Sequence, residues 1–178
     1  MLNNLYKTKA YLVGGIQYTN GRLWRDEIIE KLKSLEIICF NPFSKPFIKD
    51  VDENENIQQK LLELIEEENY DEVARRTKLI RIYDLALVDK SDFIIAHLDP
   101  KVPTAGTYEE IFWANRLKKP IFLIVPSKKT CPIWLFGTIP HKYIYESVDE
   151  VVNILQKIDA GEKEMDSDRW KLLKKEFR

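Results

Sequence analysis

Apolar residues along the chain alternate between short unbroken runs and longer stretches with helical spacing. Residues 9–15 form a run of the first kind and predict a buried strand ending in Gly14-Gly15. A loop over 16–22 leads into a helix predicted at 24–35, with Ile28, Leu32 and Leu35 on one face. Residues 36–40 read as a second strand, closed by the turn signal Asn41-Pro42. The segment 43–55 is polar and contains proline, and it is long enough for a lid or an interface element. Two helices follow, at 57–67, amphipathic through Leu61, Leu62 and Ile65, and at 71–89. A third strand is predicted at 92–98, a helix at 109–118 and a fourth strand at 120–125. A loop carrying Trp134, a weak strand at 143–145 and a helix at 148–158 complete the pattern.

Strands that alternate with helices predict an α/β fold, a three-layer, flavodoxin/Rossmann-like sandwich on a mostly parallel sheet of about five strands. One domain is expected over 1–160, with 161–178 as a charged tail or short helix, in which 169–177 could serve as a docking arm. In such sheets ligands bind beyond the carboxyl ends of the strands, near the switch point. Gly14-Gly15, the loop ending Thr104-Ala105-Gly106-Thr107, and the helix turn carrying Glu110 all converge there. Asp84 precedes strand three by about eight residues on an antiparallel element, which at about 1.5 Å per helical residue sets it back toward that end.

Composition narrows the classes. The 178 residues hold 44% hydrophobic and 32% charged positions with a net charge of −1, and the two signs are interspersed. No broad basic face follows, which argues against a nucleic-acid polymer as partner. Cys39 and Cys131 lack metal spacing and fit buried thiols in a reducing compartment, and two isolated histidines do not make a zinc site. No apolar run approaches the roughly 18 residues of a membrane span, and residues 10–16 lack a signal-peptide layout. A cytoplasmic protein without a metal or organic cofactor is expected.

The chemistry turns on two adjacent carboxylates. At about 100° per residue, Glu110 falls between Ala114 and Leu117, while Glu109 points along the Arg116 side toward water. A charge facing packed elements is costly unless paired or used, so Glu110 is the functional candidate. Such a glutamate can attack an anomeric carbon and hold the sugar covalently while a second acid assists the leaving group. In a nucleoside that leaving group is a ring nitrogen, which Asp84 could protonate or hydrogen-bond. The Tyr11 hydroxyl could orient Glu110, and the backbone at Gly14, Gly15 and Gly106 can approach a sugar or phosphate closely. Plainer roles fit the same spacing: a first-turn carboxylate held by the helix dipole for Glu110, a solvated helix position for Asp84, and core for Tyr11. Trp24, Trp113 and Trp134 read as packing residues, with Tyr18 the best placed aromatic to line a pocket.

Taken together these residues resemble the nucleoside 2-deoxyribosyltransferase-like family, which includes deoxyribosyltransferases and nucleotide N-glycosidases. The resemblance spans about 9–158. It rests on Ala10-Tyr11-Leu12-Val13-Gly14-Gly15, on Trp24-Arg25, on Phe40-Asn41-Pro42, and on Asp84 followed by Ser91-Asp92-Phe93-Ile94-Ile95-Ala96. Its last piece is Gly106-Thr107-Tyr108-Glu109-Glu110-Ile111-Phe112-Trp113-Ala114 before Lys119-Pro120. The resemblance implies Glu110 as nucleophile, Asp84 as the aspartate assisting the base, and Tyr11 as the residue orienting the nucleophile. It also implies a nucleoside or nucleotide substrate and a homo-oligomer, dimer or higher.

Two positions depart from the family pattern. Thr104 stands where many transferases carry an aspartate near the sugar's 5′ end, while the nucleotide-hydrolysing branch similarly has a hydroxyl residue there. A hydroxyl can donate to a 5′-phosphate that a carboxylate would repel, with Arg22 or Arg25 as a source of positive charge. Phe112-Trp113 stands where the family often has glycine followed by an aromatic. The expected activity is cleavage of an N-glycosidic bond through a glycosyl-glutamate, hydrolysis slightly favoured over base exchange. The alternative from another class is a nucleotide-binding sensor without turnover.

Overall fold

The computed structural model describes residues 3–16, 20–44, 55–162 and 169–170. Tyr18, most of the 43–55 segment and most of the 161–178 tail, with the roles expected for them, lie outside the described residues. Five strands form one sheet: β1 (Lys9–Gly14), β2 (Ile38–Phe40), β3 (Phe93–His97), β4 (Ile121–Ile124) and β5 (Ile144–Tyr145). Their order is β2-β1-β3-β4-β5 and every pairing is parallel. A parallel sheet is covered on both faces, which is why β1, β3 and β4 read as unbroken apolar runs. Tyr11, Leu12, Val13, Ile94, Ile95, Ala96, Phe122 and Leu123 all have no exposed surface. Asp92 locks the start of this pairing: its side chain accepts from Lys9 N at 2.7 Å, and its own N–H donates to Lys9 O at 2.7 Å.

Six helices flank the sheet among the described residues: α1 (Asn20–Leu32), α2 (Glu55–Glu66), α3 (Tyr70–Lys90), α4 (Ala105–Arg116), α5 (Ile133–Phe136) and α6 (Val148–Asp159). The chain steps one way from β1 to β2 and the other way from β2 through β5. Right-handed crossovers therefore put α1 on the face opposite α3 and α4. The packing agrees: α1 lies against α6, α3 against α4, and α2 against α3. Reversal of strand order beside β1 leaves a crevice at the carboxyl ends of β1 and β3.

The opposite end of the sheet is sealed by aromatic rings. Trp170, from the charged stretch after α6, is 2% exposed and sits 5.5 Å from the Phe93 ring and 5.8 Å from the Phe122 ring. Its neighbour Arg169 donates to Asn115 Oδ1 at 2.7 Å and to Lys119 O at 3.1 Å. Trp134 does not pack as expected. The helix α5 is a single turn that turns only Leu135 inward, leaving Trp134 79% exposed. Both cysteines are free thiols, and burial pushes Cys39 up to about 12. Among the described residues no helix is long and apolar enough to cross a membrane.

Candidate active site

Helix α4 begins four residues earlier than the sequence pattern predicts, because Thr104 caps it. The Thr104 side chain accepts from Thr107 N at 3.4 Å and shares a hydrogen bond with the Thr107 hydroxyl. An oxygen at this position satisfies one of the amides a helix leaves unpaired at its start. Glu110 consequently lies in the second turn, beyond the first-turn reach of the helix dipole. Its burial needs another account, and the inward face supplies it. Thr107, Glu110, Ile111 and Ala114 are the buried residues of α4, while Leu117 and Trp113 are partly exposed at its end.

The Tyr11 hydroxyl donates to Glu110 Oε1 at 2.7 Å. Tyr11 is fully buried in β1 and Glu110 is only 8% exposed, so the bond is made in a dry setting. One carboxylate oxygen is thereby held. Asp84 and Val88 are the buried residues of α3, and Asp84 shares a cleft of about 400 Å³ with Tyr11 and Glu110. That volume falls within the roughly 300–1,000 Å³ typical of small-molecule sites. Gly14, Gly15, Thr104 and Gly106 also line it.

The glycines differ in what they do. A Cβ on Gly14, whose φ is +157°, would lie 2.8 Å from His97 O and 3.2 Å from the Trp24 ring. Gly14 is therefore required by the close passage of β3 and α1. At Gly106 a Cβ would meet nothing within 4 Å, so its backbone faces open space at the α4 N-terminus. At Gly15 the nearest atom would be Val102 Cγ1 at 3.9 Å, ordinary contact.

The arginines sort differently from the sequence expectation. Arg22 is exposed, its guanidinium 5.5 Å from the Phe43 ring, and among the described residues it is not part of the cleft wall. Arg25 is fully buried and serves backbone carbonyls, donating to Gly21 O at 2.6 Å, Gly14 O at 2.7 Å and Leu12 O at 3.2 Å. It ties the end of β1 to the start of α1. His97 stacks on Trp24 at 5.3 Å; burial, and then the Arg25 charge, depress its pKa against a smaller opposing effect of Asp99.

Among the described residues Arg25 and Arg81 both line the cleft, and Arg81, on its outer wall, was missed by the sequence reading. It lies three residues before Asp84 on α3, so helical spacing sets both on one face. Its Nε donates to both oxygens of Glu109 at 2.8 Å, and its Nη2 donates to Oε1 as well. Glu109 thus does not simply face water along the Arg116 side. It is half-buried, lines the same cleft and is bound to α3 through this pair. Ile57 and Leu61 of α2, with Thr77 and Ile80 of α3, complete the outer wall. Among the described residues no group of three or more His, Cys, Asp or Glu could hold a metal ion.

The profile of a family described as nucleoside 2-deoxyribosyltransferase matches residues 10–155 of the chain. Among solved structures, a 2-deoxyribosyltransferase from Bacillus psychrosaccharolyticus aligns with TM-score 0.58 at 15% identity, over 82% of this chain and 91% of its own. A conserved protein from Enterococcus faecalis V583 aligns with TM-score 0.56 at 15% identity, over 85% of this chain and 99% of its own. A CMP N-glycosidase from Clostridium botulinum aligns at 22% identity over 86% of this chain and 99% of its own, with TM-score 0.46. No curated protein sequence gives a significant match.

Proposed function

The chain belongs to the nucleoside 2-deoxyribosyltransferase family, and from that premise we propose that it cleaves the N-glycosidic bond of a nucleoside or nucleoside 5′-monophosphate through a glycosyl–Glu110 intermediate. The observation that carries the reading is the 2.7 Å bond from Tyr11 to Glu110 inside the cleft that also holds Asp84. A carboxylate with one oxygen fixed presents the other to C1′. As the new C1′–O bond forms, the C1′–N bond breaks and its electron pair leaves on the base, which takes a proton at Asp84. Water, or the N–H of a second base, then attacks C1′ as its bond to Glu110 breaks; the released proton returns to the Asp84 carboxylate, and Glu110 leaves as carboxylate.

Hydrolysis of a 5′-monophosphate is the version we favour. The N-terminus of α4 opens on the cleft with Thr104 as cap and with Gly106 facing open space, and a helix start with free amides suits phosphate. No carboxylate stands at Thr104 to repel it. We further propose a homo-oligomer, supported by the exposure of Ile133 and Trp134 on α5; sedimentation at assay concentration tests it.

Purified protein incubated with ribo- and deoxynucleosides and their monophosphates should release free base in water alone. Exchange only when an acceptor base is added would identify a transferase, and binding without release a sensor. Glu110→Ala should abolish release, while Glu109→Ala should still release base at a lower kcat/KM. Equal and complete loss from both substitutions would sink the assignment of the nucleophile.

A further inference from the structure

We propose that the Arg81–Glu109 pair reads the hydrogen-bonding edge of the nucleobase, with Arg81 as a specificity-determining residue. The inference rests on the N-glycosidic reading above and adds a residue to it. Arg81 spends Nε and Nη2 on Glu109. Among the described residues its Nη1 has no hydrogen-bond partner and Nη2 makes a single bond, so three N–H donors remain on the cleft wall, two on Nη1 and one on Nη2. Glu109 Oε2 accepts one of the three bonds and keeps a lone pair. The pair therefore presents both N–H donors and an acceptor oxygen to the same cleft.

Charge and position together select the base over a 5′-phosphate. Arg81 is neutralised by a bidentate carboxylate, so a dianion drawn to it would meet Glu109 as well as the guanidinium. A neutral base edge carries an acceptor next to an N–H and suits a neutral pair presenting the complement. Arg81 also shares its helix face with Asp84, one turn away, the residue placed here against the departing base. Glu109 precedes Glu110 directly, so the pair is tied by the α4 backbone to the carboxylate that meets C1′. Held by Glu109, the guanidinium loses little freedom when a base arrives.

The test compares wild type, Arg81→Met and Arg81→Lys on nucleosides and 5′-monophosphates of adenine, guanine, cytosine, uracil and thymine, by base release. Methionine preserves helix propensity at this half-exposed position. Arg81→Met should lower kcat/KM for the preferred base by roughly 10- to 100-fold, as loss of a charged hydrogen bond does. The ratio between preferred and poorest base should fall by a similar factor, and Arg81→Lys should fall between. Deaza analogues of the preferred base should reveal one ring position whose loss costs the wild type but costs Arg81→Met nothing further. Equal loss on every base would mark Arg81 as merely structural and overturn the inference. So would a loss confined to the 5′-monophosphates, or a change of less than twofold. A wild type inert on the whole panel would sink the glycosidic reading and this inference together; an active wild type with an unchanged Arg81→Met profile sinks this one alone.

Discussion

Replacing Tyr11 by phenylalanine removes one hydroxyl and leaves the ring, which is fully buried in β1, in place. What is lost is the 2.7 Å bond to Glu110 Oε1. A hydrogen bond to a buried charged group contributes about 1.5–3 kcal/mol. If that bond orients the attacking carboxylate, its loss corresponds to a roughly ten- to hundredfold slower attack on C1′. The two half-reactions separate orientation from electronics. Under the proposed glycosyl–Glu110 mechanism, negative charge leaves Glu110 during attack and returns when the intermediate is cleaved. A donor that only stabilised charge would, on removal, speed the first step and slow the second. Orientation predicts that both slow. Single-turnover quench measurements of base release give the first step, steady-state turnover gives the whole, and intact mass follows the glycosylated protein. An attack rate within twofold of wild type in Tyr11→Phe would refute the orienting role.

Three further outcomes follow from the packing. Gly14→Ala drives a methyl to 2.8 Å from His97 O; an overpacking cost of about 1–3 kcal/mol should lower the melting temperature by several degrees, and Arg25 should lose its hold on the Gly14 carbonyl. Unchanged melting would mean that β1 and β3 separate more easily than the sheet implies. Trp170→Ala empties the space against Phe93 and Phe122 and should cost about 3–5 kcal/mol in a urea titration. Base release in the absence of denaturant should persist, because these rings lie at the end of the sheet away from the cleft. Finally, the folded state holds His97 below its usual 6.5 through burial and then Arg25. The unfolded chain therefore takes up the proton first, and this contribution to stability is lost as pH falls from about 6.5 toward the folded value. Urea midpoints between pH 8 and 5 should decline less in His97→Phe, which keeps a ring on Trp24. Parallel curves would refute the assignment.

The order of elements was legible because a covered parallel sheet needs unbroken apolar strands, and the helices between them carry an apolar stripe. The start of α4 was not, since Pro103, Thr104 and Gly106 read as a loop while Thr104 in fact caps the helix. That displacement matters, for it removes the helix dipole as an explanation of Glu110. The face argument separated Glu110 from Glu109 correctly in burial. It could not see Arg81, because a helical wheel contains no neighbouring helix. Arg22 and Arg25 were indistinguishable by composition; only the folded turn shows that backbone carbonyls at the end of β1 occupy Arg25. Trp134 was misjudged, and the burial of Trp170 was not read at all. A bulky ring looks like core wherever it occurs, and a charged neighbourhood looks like solvent.

Tyr11 and Glu110 stand 99 residues apart, one in the first strand and the other in the helix that follows the third. Contacts of such long sequence separation form after local helices have done so, because loop closure must come first. Recovery of turnover on refolding will therefore clock the docking of distant segments, and will trail the return of the helical circular-dichroism signal.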